Sequence, residues 1–88
     1  MGMEKVLFKS EEKKSAAEAA AILRTIADKV EEGKLLLKQG NSECSLSIPS
    51  SLVVEIKVEE EFKRKMKRSL EIELEWIEGE DQGEVEIS

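Results

Sequence analysis

The sequence contains no histidine and no tyrosine, and only one cysteine, one proline and one tryptophan, among 88 residues. Without histidine no Ser-His-Asp or Cys-His arrangement can be built. The commonest general base is missing too, and so is the commonest ligand for zinc or copper. Catalysis would rest on carboxylates or lysines alone, so the expectation is a protein that is not an enzyme and holds no metal and no cofactor. Cys44 has no partner for an intramolecular disulfide, which fits a reducing, cytoplasmic setting. No apolar run reaches the roughly 18 residues of a membrane span, and no membrane association is expected. The opening "MGMEK" lacks the basic-then-apolar order of a signal peptide. Gly2 is not followed by serine or threonine at the position a myristoylation signal needs.

What is present is aliphatic and charged. Hydrophobic residues make up 40% of the chain and charged residues 39%, with two phenylalanines beside the tryptophan, so any core must come from Ile, Leu, Val and Ala. A chain of this length makes one domain near the lower end of what a single core supports. The net charge of −6 is uneven: residues 1–33 carry 6 bases and 7 acids, and residues 52–70 carry 6 and 4. From Glu71 onward there are 8 acids and no base. General nucleic-acid binding is unexpected for such a balance.

"EKVLFK" (Glu4–Lys9) reads as a first strand. In "SAAE", Ser15 and Glu18 have the spacing of a capping box, with Ser10 as a second possible cap. At 100° per residue, Ala16, Ala19, Ala20, Ile22, Leu23, Ile26, Ala27 and Val30 then fall in one arc, so a helix spans about 15–32. Gly33 is placed to end it in a left-handed conformation. Beyond Gly33 the period changes to two. "LLLKQ" (Leu35–Gln39) and "CSLSI" (Cys44–Ile48) read as strands, Pro49 breaks the run, and "LVVEIKVEEEF" (Leu52–Phe62) follows. Val54, Ile56 and Val58 face one way, and Glu55, Lys57 and Glu59 the other. "KRKMKR" (Lys63–Arg68) reads as a basic hairpin connection, and "SLEIELEWI" puts Leu70, Ile72, Leu74 and Trp76 on one face. The order is β-α-β-β-β-β: an α+β fold with one amphipathic helix on one face of a mainly antiparallel sheet, whose other face is polar. The domain spans 1–78, and residues 79–88 form an acidic, mobile tail in which "EVEI" could add a strand.

The combination of "SAAEAAAILRTIADKVEEGK", "SIP" at Ser47–Pro49, "VEIKVE" and "LEIELEW" closing at Trp76 resembles the amphi-Trp domain family of small prokaryotic proteins. Within the first of these segments, Ser15, Glu18, Ala19, Leu23, Ala27, Asp28 and Gly33 carry the likeness, which covers about residues 4–77. Thr25-Ile26 stands where the family more often has a leucine, and Lys63–Arg68 is more basic than the family pattern needs. The resemblance implies no activity and no catalytic residues.

Three features offer a surface for recognition. Trp76 shares its side of the strand with three aliphatics and reads as a structural anchor rather than a ligand platform. Glu71, Glu73 and Glu75 recur about 7 Å apart on the opposite side. Their commonplace reading is a solvated face that resists aggregation, with Lys57 the nearest offsetting charge, and no metal-binding loop surrounds them. Lys63, Arg64 and Lys65 open the basic connection, which could bind phosphates but more often is a solvated turn. Cys44 reads as an inert thiol on an apolar face. The expectation is a small interaction or scaffold domain that binds a protein partner or self-associates, for instance as a homodimer. The glutamate row and Lys63–Lys65 are its contact surface, and the basic hairpin of one copy could dock on the glutamates of another. The alternative is an anionic ligand or nucleic acid bound at Lys63–Arg68.

Overall fold

In the computed structural model, residues 2–79 are described. The chain is α+β: helix α1 (Ala16–Glu32) is followed by β1 (Lys34–Gln39), β2 (Ser42–Ser47), β3 (Val53–Phe62) and β4 (Met66–Glu75). The strands form two separate two-stranded antiparallel sheets, β1-β2 and β3-β4, rather than one sheet. The chain divides accordingly into two compact units, Met1–Ile48 and Pro49–Ser88. The expected acidic tail and its "EVEI" strand lie, from residue 80 on, outside the described residues.

In the first unit the helix begins at the capping box. Ser15 Oγ accepts from the Glu18 amide at 3.1 Å, and Glu18 Oε1 accepts from the Ser15 amide at 2.9 Å. The Ser15 amide, with its side chain adding a lesser part, stabilises the carboxylate and holds Glu18 below the ordinary glutamate range. At the other end Gly33 adopts φ 88° and donates to the carbonyls of Lys29 and Val30. The carbonyl of Gly33 then accepts from the Ile48 amide at 2.8 Å, which ties the end of β2 to the end of the helix.

β1 and β2 are joined by Gly40 and Asn41, with Gln39 opposite Ser42. Gly40 takes φ 57° at the first central position, the conformation a tight two-residue hairpin asks of glycine. The pairs Leu35–Leu46 and Leu37–Cys44 put four apolar side chains on one face. That face is half-buried, whereas Leu36 on the reverse is exposed. α1 lies against β1 through the side that carries Ile26 and Val30. Ile48 is the one buried hydrophobic residue among those described.

Glu4–Lys9 is not a strand; residues 2–15 carry no regular structure. The run has β-forming residues but pairs with no ladder neighbour, and β propensity is expressed only through such pairing. Val6 and Leu7 are exposed. Phe8 instead turns toward Ile22, Leu23, Ile26 and Leu37, with which it lines an open cleft of about 870 Å³.

Candidate interaction surface

In the second unit each ladder partner is known, so both faces of the hairpin can be read residue by residue. Successive side chains of a strand alternate sides. Val54–Leu74, Ile56–Ile72, Val58–Leu70, Glu60–Arg68 and Phe62–Met66 are the pairs of one face. Val53–Glu75, Glu55–Glu73, Lys57–Glu71, Glu59–Ser69 and Glu61–Lys67 make the other. One side is thus apolar for eight of ten positions and crossed by a single ion pair. The reverse is charged and dominated by acids.

The apolar side has nothing over it within its own hairpin. Ile56 is 68% exposed, Val58 69% and Leu70 64%. A two-stranded hairpin is marginal in water by itself, and an aliphatic face in contact with solvent forgoes the main stabilisation that side chains of this kind supply. Contiguous apolar patches of this sort mark association surfaces. The ion pair inside it is close: Arg68 Nε lies 2.6 Å from Glu60 Oε2. Both side chains are solvated, so the pair adds little to stability where it stands.

The basic segment is shorter as a connection than the sequence suggests. Only Lys63, Arg64 and Lys65 form the turn, with the Lys63 amide donating to the Lys65 carbonyl at 3.3 Å; Met66, Lys67 and Arg68 belong to β4. Pairing overrides composition here, because Lys67 meets Glu61 and Arg68 meets Glu60 across the ladder. At the tip, Phe62 and Met66 flank the three cations, Phe62 being 70% exposed. Among the described residues no carboxylate lies within 4.0 Å of Lys63, Arg64 or Lys65.

Glu71, Glu73 and Glu75 lie in β4 on the charged side. Lys57 is opposite Glu71, as a sheet pair requires, but its ammonium sits 3.9 Å from Glu59. Glu73 faces Glu55, a like-charge pair. The glutamates run away from the tip, Glu71 standing six residues beyond Lys65, or about 20 Å of extended chain. The hairpin therefore does not bring its own basic turn onto its own glutamate row. Trp76 follows β4 directly, is half-buried, and its indole N–H donates to Glu78 Oε2 at 3.2 Å.

Glu60, Arg68, Phe62 and Met66 escape a reading by segment. A count in twos from Val54 along β3, and back from Leu74 along β4, would have placed all four on the apolar side. Among the described residues no group of three or more His, Cys, Asp or Glu side chains is set to hold a metal ion. No described helix is long and apolar enough to cross a membrane.

The fold is α+β, with the helix and one hairpin in the first unit and a two-faced hairpin followed directly by a tryptophan in the second. The amphi-Trp domain profile matches residues 1–88, and the chain belongs to that family. Neither the curated proteins nor the solved structures hold a significant match.

Proposed function

We propose that this is a non-enzymatic interaction domain that self-associates through the apolar side of the β3-β4 hairpin. The observation that supports this reading is the row of cross-strand pairs Val54–Leu74, Ile56–Ile72 and Val58–Leu70, uncovered within the hairpin that forms it. The charged reverse, with its acidic excess, keeps such an assembly from growing edge to edge or face to face without limit. The absence of histidine from the sequence accords with a binding rather than a catalytic role. An anionic ligand on Lys63–Arg68 has less behind it, since Lys67 and Arg68 stand opposite acids and three cations remain at the turn.

The test is Ile56→Asp, which sets a carboxylate in the middle of the apolar row. Sedimentation velocity should show the wild-type chain as a concentration-dependent oligomer and the variant as a monomer. Far-ultraviolet circular dichroism should show α1 intact in both. A wild-type chain that stays monomeric at every concentration would rule the reading out.

A further inference from the structure

We draw no further inference here: the strongest candidate, the open apolar cleft of the first unit between Phe8 and the side of α1 that carries Ile22, Leu23 and Ile26, is an unpartnered apolar face, and nothing in the structure shows what covers it.

Discussion

Ser15 shows how much one short motif settles. Its spacing to Glu18 names a helix start three residues wide, and both reciprocal bonds are formed. Ser10, with the same residue type, starts nothing because no apolar arc follows it closely. Ser15→Ala should cost about 1 kcal/mol of stability, read from denaturant midpoints. The same change removes only the lesser, side-chain part of what lowers Glu18, because an alanine keeps the backbone amide. A depressed carboxylate stabilises above its unfolded value, and that contribution is lost as pH falls through the lowered folded value. Wild type and Glu18→Gln should therefore differ in stability at neutral pH, with the difference shrinking under acid, below the usual glutamate range. Gly33 was equally legible, as a left-handed terminator directly after the last apolar position. Trp76 lies one residue past the ladder, and its bond to Glu78 depends on chain beyond it, which no strand period describes.

At the scale of elements, the helix and the four strands after it were readable because their periods of 3.6 and two are long and regular. Two errors have one cause. Composition alone predicts a strand at Glu4–Lys9 and a turn over Lys63–Arg68. Pairing decided both: the first segment lacks a ladder neighbour, and half of the second has one in Glu60 and Glu61. One sheet became two hairpins because ladder partners of distant strands leave no trace in a local pattern. The β3-β4 hairpin also carries a visible flaw, Glu55 opposite Glu73. Glu73→Lys should remove that repulsion and add an opposite-charge pair, raising hairpin stability by about 0.5 kcal/mol in low salt. Thermal unfolding at two salt concentrations checks this, with the gain shrinking as salt rises.

For the whole molecule, the sequence pointed to the glutamate row and the basic turn as contact surface, and to charge as the means of contact. The proposed association uses the opposite side of the hairpin instead, and the two accounts differ in the sign of a salt effect. Association through the apolar side brings together two copies of net charge −6 whose contact is itself apolar, so screening of their mutual repulsion favours it. Docking of a basic turn on Glu71, Glu73 and Glu75 is attraction between opposite charges, which screening weakens. Sedimentation equilibrium of the intact chain at low and at physiological-to-high ionic strength therefore bears on the central claim most directly. A dimer that tightens as salt is added is the expected result. A dimer that dissociates with salt, or a monomer throughout, would contradict association through the apolar side of β3 and β4.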